Sequence, residues 1–484
     1  MGPADVRSTR EVPALSEDTS PPASPGRDDG SAAPSTRVVP KWRAWLWVFL
    51  AGLTGVLTGT ATFLVTGYVT LTNNVKHEVV TQKDLGPRPV KVVNSAVNVL
   101  LVGSDARDGA NARYGKFGGE RTDTIILAHI SPKRDGALLI SFPRDSLVDL
   151  PNCPARRGFP GQNRHVGMIN ESFNAGGVSC TWKTIEGLTG IHIDHFVKVD
   201  FTGFKEMVNA LGGVPVCVPE PGILDRKALL KLSAGRHLLT GEQSLGYVRA
   251  RYSLGDGSDI GRIQRQQMFL ASMAKKAMSG ETLTDPAQLF DFLDAVTRSI
   301  TTDPELSVGV MKDLAMSAKG ITAGQIRFVT APWRYSLTNP GRVEWVQPQA
   351  DNLFKMVASD EVSTSIKTGE QKIPKSQIHI IIQNGSGRPS LATTVAADLE
   401  QRGYHIAKIQ QAPKYYPKTV LKYTPAGESR APRLFRELKQ TTTFRVASGT
   451  TPRLLLIVGA DWEGLKPPKT LDDIDSFDAT HDTC

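Results

Sequence analysis

V-N-V-L-L-V-G-S-D-A-R, residues 97–107, is an apolar run that ends in a polar, charged tip. A run of this length, apolar on both sides, reads as a strand covered on both faces. T-I-I-L-A-H-I (124–130) and A-L-L-I-S-F (137–142) have the same character. Helical spacing near 166–175, 181–188 and 201–211 alternates with strand-like F-V-K-V-D-F (196–201) and V-P-V-C-V (214–218). Strands alternating with helices predict an α/β fold, a sandwich around a mixed central sheet.

Working outward, the chain of 484 residues is too long for one typical domain. Residues 1–41 are rich in Pro, Ser, Ala, Gly and charge, and are expected to be a disordered tail whose charges balance when counted through Arg43. Ala44 to Val75 then contains no Asp, Glu, Lys or Arg. About 20 apolar residues cross a bilayer, so a transmembrane helix is expected over 42–72, opened by Trp42, Trp45 and Trp47. The 40-residue tail ahead of this segment argues against a signal peptide. Arg37, Lys41 and Arg43 flank the near side, so the tail is expected in the cytoplasm and the rest outside the membrane.

A stalk is expected over 73–93, the main α/β domain over 94–357 and a polar linker over 358–375. A small α/β domain over 376–462 carries I-H-I-I-I-Q-N-G (378–385), a helix at 390–402, a strand at 404–409 and a closing L-L-L-I-V-G (454–459). Its N-G-S-G (384–387) lacks G-x-G-x-x-G spacing and a Walker lysine, so it reads as a strand-to-helix turn. Residues 463–484 are expected to be an acidic disordered end. The net charge of +9 therefore divides unevenly, with the basic excess in the membrane-plus-envelope part. No helix-turn-helix arrangement is apparent, and a nucleic-acid partner is not expected.

The sequence holds no G-x-S-x-G, no H-E-x-x-H and no C-x-x-C pair. Instead, Arg and Asp gather at strand ends: Asp105 and Arg107 after the first strand, Arg121 and Asp123 before the second, Arg144 and Asp145 after the third. Loops at strand ends are where α/β folds build sites. Y-V-R-A-R-Y (247–252) adds Arg249 and Arg251, and G-S-D-I-G-R-I-Q-R-Q-Q (257–267) adds Arg262 and Arg265 with Asp259 as helix cap. Each arginine alone reads as a surface residue. Together their planar forks suit a pyrophosphate, and two Asp suit a hard cation such as Mg²⁺ (or Mn²⁺).

G-S-D-A-R, R-T-D-T, S-F-P-R-D-S, I-N-E-S-F-N-A-G-G (169–177), V-D-F-T-G-F (199–204), L-T-G-E-Q-S-L-G-Y-V-R-A-R (239–251) and D-I-G-R-I-Q-R-Q-Q (259–267) occur in this order. The set resembles the LytR–CpsA–Psr family over roughly residues 94–355, and residues 376–462 resemble the smaller C-terminal domain attached to its actinobacterial members. The resemblance implies an α/β/α sandwich with an apolar tunnel for a lipid. It implies a membrane-anchored phosphotransferase that moves a glycopolymer from a polyprenyl-pyrophosphate carrier to peptidoglycan. Asp105 and Asp123 match the Mg²⁺-holding acids. Arg121, Arg144, Arg249, Arg251 and Arg262 match the arginines on the pyrophosphate, with Arg107 and Arg265 beside them.

An arabinogalactan-type donor is favoured by the actinobacterial character of the resemblance, with teichoic-acid-like and capsular donors open, since the motifs read the pyrophosphate and the lipid rather than the sugar. Asp145 or an Asp–Mg²⁺ pair is the candidate base for the acceptor hydroxyl. Cys153 and Cys180 share an extracytoplasmic domain and are expected to pair. Cys217, inside an apolar strand, reads as a buried thiol, and Cys484 has no assigned role. Two alternatives stay open: an envelope regulator or scaffold that binds polyprenyl pyrophosphates without transfer, and a polyprenyl-pyrophosphate pyrophosphatase.

Overall fold

The computed structural model describes residues 41–466 except 106–121, 157, 251–258, 319, 337, 362–374, 401, 429, 440–442 and 447–452, together with 476–479. The tail expected over 1–41 lies outside these residues up to position 40. The chain divides into two units, Met1–Phe63 and Leu64–Cys484.

Helix α1 runs Lys41–Asn74, and its segment Trp45–Asn74 is long and apolar enough to cross a membrane. At 1.5 Å per residue it is about 51 Å long. Its threonines return their hydroxyls to its own backbone, Thr58 to the Thr54 carbonyl at 2.8 Å and Thr72 to that of Tyr68 at 2.9 Å. Such bonds satisfy polar groups where a bilayer offers no water.

One residue, Val75, separates α1 from β1 (Lys76–His77). β2 (Val97–Ser104), β3 (Thr122–Ile130) and β4 (Ala137–Phe142) follow, then the pair β5 (Leu147–Leu150) and β6 (His165–Met168). Next come α2 (Glu171–Thr189), β7 (His195–Val199), α3 (Phe201–Ala210), β8 (Val214–Val218), β9 (Ile223–Asp225), β10 (Leu230–Leu232) and β11 (Gly235–Leu239). α4 (Gly241–Arg249), α5 (Asp259–Ala277), α6 (Pro286–Ser299), β12 (Ile300–Thr302), α7 (Val308–Ser317) and β13 (Ile326–Thr330) continue the chain. β14 (Trp333–Tyr335), β15 (Val343–Trp345) and α8 (Gln349–Ala358) precede the smaller domain. That domain holds β16 (His379–Asn384), α9 (Leu391–Glu400), β17 (His405–Gln411), β18 (Val420–Tyr423), α10 (Ala431–Glu437), β19 (Thr443–Val446) and β20 (Arg453–Val458). A last strand, β21 (Ser476–Asp478), lies beyond it.

The main sheet has eight strands in the order β1-β12-β7-β2-β3-β4-β13-β21. β2 is parallel to β7 but antiparallel to β3, and β4 is antiparallel to β3 but parallel to β13, so the sheet is mixed. Period-two alternation divides each strand between two layers. Leu100, Leu127 and Ile140 face a core with Phe173, Trp182, Phe354 and Val357 from α2 and α8. Leu101 and Ile126, one position away, face a cavity roofed by α4, α5 and α6 on the other side. This is an α/β/α sandwich. Each fully buried Leu, Ile or Phe of this core contributes about 1.5–3 kcal/mol.

The stretch near 166–175, helical by spacing, opens as strand β6, and α2 begins only at Glu171. Within α2, Gly176 and Gly177 leave helical geometry, Gly177 with φ +64°. A Cβ on Gly176 would sit 2.7 Å from the Cβ of Cys180, and one on Gly177 2.8 Å from the Phe159 ring. The glycine pair thus lets the 153–162 loop pack against α2. There Cys153 and Cys180 form a disulfide with Cα atoms 5.8 Å apart.

Two expectations change. Cys217 is not a buried thiol: it is half-buried and disulfide-bonded, with a partner outside the described residues. Its side chain points away from the core that Val216 and Val218 enter, which left it available for bonding. The acidic end is not wholly disordered, because Ser476–Asp478 pairs antiparallel with β13 and Ala479 is buried.

The smaller domain is a five-stranded mixed sheet, β17-β16-β20-β18-β19, whose core joins Ile380, Ile382, Leu454 and Leu456 to Val395 and Leu399 of α9. Its N-G-S-G segment is an Asx turn: Asn384 accepts from the Ser386 amide at 3.2 Å and donates to the Arg388 carbonyl at 2.8 Å.

Candidate active site

Antiparallel pairing brings the first two acids together. Ser104 pairs with Thr122 across a bulge at Gly103, and the Thr122 hydroxyl donates to the Gly103 carbonyl at 2.9 Å. Asp105 follows Ser104 and Asp123 follows Thr122, so both carboxylates stand at the same end of β2 and β3. Phe142, the last residue of β4, pairs with Ile125, which carries Arg144 to that end as well. Arg144 donates from Nη1 to the Asp123 carboxylate.

Two helices complete the cluster. Arg249 ends α4 and places its guanidinium 4.8 Å from the centre of the Phe201 ring, a cation–π contact. Arg262 stands in the first turns of α5 and is buried, at 2% exposure. Helix N-termini carry positive potential, so the helix end and the Arg262 charge reinforce each other toward an anion. α5 is held in place by its glutamines. Gln266 donates to the Val248 carbonyl at 3.2 Å, and Gln267 to the Ser141 hydroxyl at 2.8 Å and the Val329 carbonyl at 3.1 Å.

Asp105, Asp123, Arg144, Arg249 and Arg262 line one cavity of about 710 Å³. The rest of its wall is largely apolar, including Leu101, Val197, Phe204, Met207, Leu245 and Phe269, and farther on Phe292, Val296 and Met311. A single chamber therefore joins these charged groups to a largely apolar wall. That arrangement suits an amphiphile whose head is anionic.

Several expected residues stand elsewhere. Arg107, Arg121 and Arg251 lie outside the described residues, as does the Asp259 side chain. Arg265 is buried but is not part of the cavity wall; it donates from Nη2 to the Ala250 carbonyl, satisfying the exit of α4. Burial pushes the nearby Tyr247 phenol up despite the pull of Arg265. Asp145 is outside the cavity wall and lies 3.7 Å from Arg144 Nε and 3.9 Å from Arg342 Nη1. In the other direction, Asp200, Asp225 and Lys227 line the cavity without having been singled out in the sequence. Asp200 caps α3, accepting from the Gly203 amide at 2.8 Å. The D-F-T-G motif, with a capping residue before a helix, carried that signal.

A family model described as the LytR_cpsA_psr family matches residues 63–359. The chain belongs to the LytR–CpsA–Psr family. A second model, described as LytR cell envelope-related transcriptional attenuator, matches residues 377–462, the smaller domain of this family member. Among its relatives is a Corynebacterium glutamicum protein named cell wall biosynthesis protein LcpA, 29% identical over 369 residues, which cover 68% of this chain and 70% of that one. Another is an Enterococcus faecalis protein named polyisoprenyl-teichoic acid–peptidoglycan teichoic acid transferase TagU. It is 32% identical over 219 residues, 45% of this chain and 64% of that one. A solved structure titled as a LytR-Csp2A-Psr enzyme from Actinomyces oris is 23% identical with a TM-score of 0.44, covering 59% of this chain and 96% of that one.

Proposed function

We propose that the chain is a membrane-anchored phosphotransferase that moves a glycopolymer from a polyprenyl-pyrophosphate carrier to peptidoglycan, leaving a phosphodiester link in the wall. The observation that carries this reading is the single chamber that joins three arginines and two aspartates to an apolar wall. The names of the relatives support it, since they assign cell wall biosynthesis and teichoic acid transfer to those proteins. The reading places the N-terminus in the cytoplasm and the chamber outside, on the polyprenyl side of the membrane. An arabinogalactan-type polymer is the favoured donor.

In this reading the apolar wall takes the polyprenyl chain and the arginines take the pyrophosphate. A peptidoglycan hydroxyl oxygen attacks the phosphorus nearer the sugar and forms the new P–O bond. The P–O bond to the distal phosphate breaks, polyprenyl phosphate leaves, and the hydroxyl proton passes to a base. Arg144, Arg249 and Arg262 stabilise the charge that grows on the departing phosphate, and removing one such donor commonly costs about 10²–10³ in rate. No covalent intermediate on the protein is required.

Among the described residues no group of three or more His, Cys, Asp or Glu is assembled for a metal. Two carboxylates with no sulfur or imidazole still fit Mg²⁺, which takes one or two carboxylates and fills its shell with water and substrate phosphate. Asp105 and Asp123 would hold it, and it would neutralise negative charge on the pyrophosphate.

The test incubates the purified full chain with a lipid-linked oligosaccharide, peptidoglycan fragments and Mg²⁺, and looks for covalent sugar on peptidoglycan. Product that persists in Arg144→Ala and Arg249→Ala sinks the site assignment. Release of lipid phosphate with no labelled acceptor moves the assignment to a pyrophosphatase. Tight binding of the carrier lipid without turnover moves it to a scaffold.

A further inference from the structure

The hairpin formed by β9 and β10 has two different faces. Asp225 points inward, is 2% exposed, and accepts from the amides of Lys227 and Ala228 at 3.0 Å, which fixes the turn. Asp225, Lys227 and Ala228 belong to the cavity wall. The outer face is leucine and cation. Leu224 pairs across the hairpin with Lys231, and Leu224 and Leu229 are 61% and 65% exposed. Leu229 is held out at φ +55°, a left-handed conformation that a branched side chain adopts only when its surroundings impose it. Arg226 and Lys231 are exposed beside them, and Asp225, the one acid between Ile223 and Leu232, is buried.

Exposed leucines set among Lys and Arg are the composition of a surface that lies in a bilayer interface, apolar groups in the acyl boundary and cations at anionic headgroups. Chain geometry keeps the main sheet close to the end of α1. A single residue separates α1 from β1, so no flexible stalk lifts the sheet away. The last turns of α1 also lie against α6. Asn74 donates to Asp294 at 2.8 Å, and a Cβ on Gly67 would sit 3.1 Å from the Phe290 ring. α6 then presents Phe292 and Val296 to the same cavity that the hairpin lines.

We infer that the β9–β10 hairpin is a second membrane contact, seated in the headgroup region of a bilayer that carries anionic lipid, through Leu224, Leu229, Arg226 and Lys231. It would hold one wall of the cavity against the lipid surface. This inference rests on α1 spanning the membrane, and the experiment separates the two.

The full chain, with its native disulfides intact, is placed in nanodiscs of mixed neutral and anionic phospholipid. A bimane fluorophore is attached at a cysteine replacing Leu224, Leu229, Leu57 or Val166. Val166 is a control, 72% exposed on the separate β5–β6 hairpin, and Leu57 is a control inside α1. Nitroxide-bearing lipids quench a label that touches the bilayer. Labels at 224, 229 and 57 are expected to be quenched and the label at 166 spared. Adding Arg226→Gln or Lys231→Gln is expected to lower the docked-to-undocked ratio of the hairpin about fivefold each. Quenching at 57 with labels at 224 and 229 no more quenched than 166 overturns the hairpin contact alone. No quenching at 57 overturns the membrane reading of α1, and the hairpin contact with it. Docking that survives both charge removals unchanged overturns the role of the cations.

Discussion

Arg144 Nη1 donates to Asp123 Oδ1, so an arginine assigned to the pyrophosphate and a carboxylate assigned to the metal are partners in one ion pair. Their side chains are 18% and 27% exposed, which leaves the pair partly shielded from water. In the proposed reaction Arg144 would therefore fill two posts, offering charge to the substrate and aiming the carboxylate.

Arg144→Ala removes both posts and is expected to lower single-turnover transfer by about 10²–10³. Arg144→Lys keeps the charge but loses the planar fork, and is expected to recover only part of the rate. Raising Mg²⁺ is expected to rescue Arg144→Ala partially, because Asp123 loses its anchor while keeping its oxygens. A rate unchanged in Arg144→Ala would remove this residue from the site.

Asp303 joins β12 to β7. It accepts from His195 Nδ1 at 2.9 Å and from the amides of Phe196 and Leu306, each at 2.9 Å. Burial raises its carboxyl pKa, but these partners outweigh burial and the net position is below the ordinary 3.8. The charged form is therefore favoured by folding. Its contribution is complete above the ordinary carboxylate pKa and is lost as pH falls through the lower folded value. Urea unfolding of Asp303→Asn at about pH 5 and pH 3 is expected to show a shallower acid loss than the parent. An identical slope would exclude this carboxyl as a source of the acid sensitivity.

In the smaller domain, Glu437 is 3% exposed and is surrounded by Lys375 at 2.8 Å, Arg402 at 3.1 Å and the Tyr404 hydroxyl at 2.8 Å. Lys375 is fully buried. Glu437→Leu takes the carboxylate away from that buried ammonium, and is expected to cost about 3–5 kcal/mol in chemical unfolding. The pair Lys375→Met with Glu437→Leu removes both charges and is expected to recover most of the loss. A double variant no better than the single one would show that packing, and not charge, is what fails.

The Cys153–Cys180 bond closes a separation of 27 residues. By loop-closure entropy its removal costs about 3.5 kcal/mol. Cys153→Ser with Cys180→Ser is expected to lower the melting temperature of the larger domain, read by calorimetry, without moving the smaller domain's transition.

The strands 97–104, 122–130 and 137–142 were legible because the sandwich buries both their faces, which leaves unbroken apolar runs. The acids and arginines at their tips were legible because charge is conspicuous after such a run. Asp225, Phe292 and Met311 were not, because a hairpin and two helices deliver them to the cavity from distant parts of the chain with no local motif. Arg265 shares a helical repeat with Arg262, but three residues turn it far enough to meet the Ala250 carbonyl instead of the cavity. V-P-V-C-V has strand periodicity but carries no mark of which face is inner, and Cys217 occupies the outer one.

β21 pairs Ser476 with Val329 and Asp478 with Arg327, and Ala479 donates its amide to the Ile326 carbonyl at 3.0 Å. Without it, β13 would present a row of unpaired amides and carbonyls on its outer side, the kind of border on which a second chain can template. A chain cut before Ser476, with Cys217→Ser so that no thiol is freed, is thus expected to self-associate as concentration rises, although Ser476–Ala479 are not part of the cavity wall. Proteins prepared for biochemistry are commonly trimmed of charged ends, and here the short segment S-F-D-A is expected to guard colloidal behaviour.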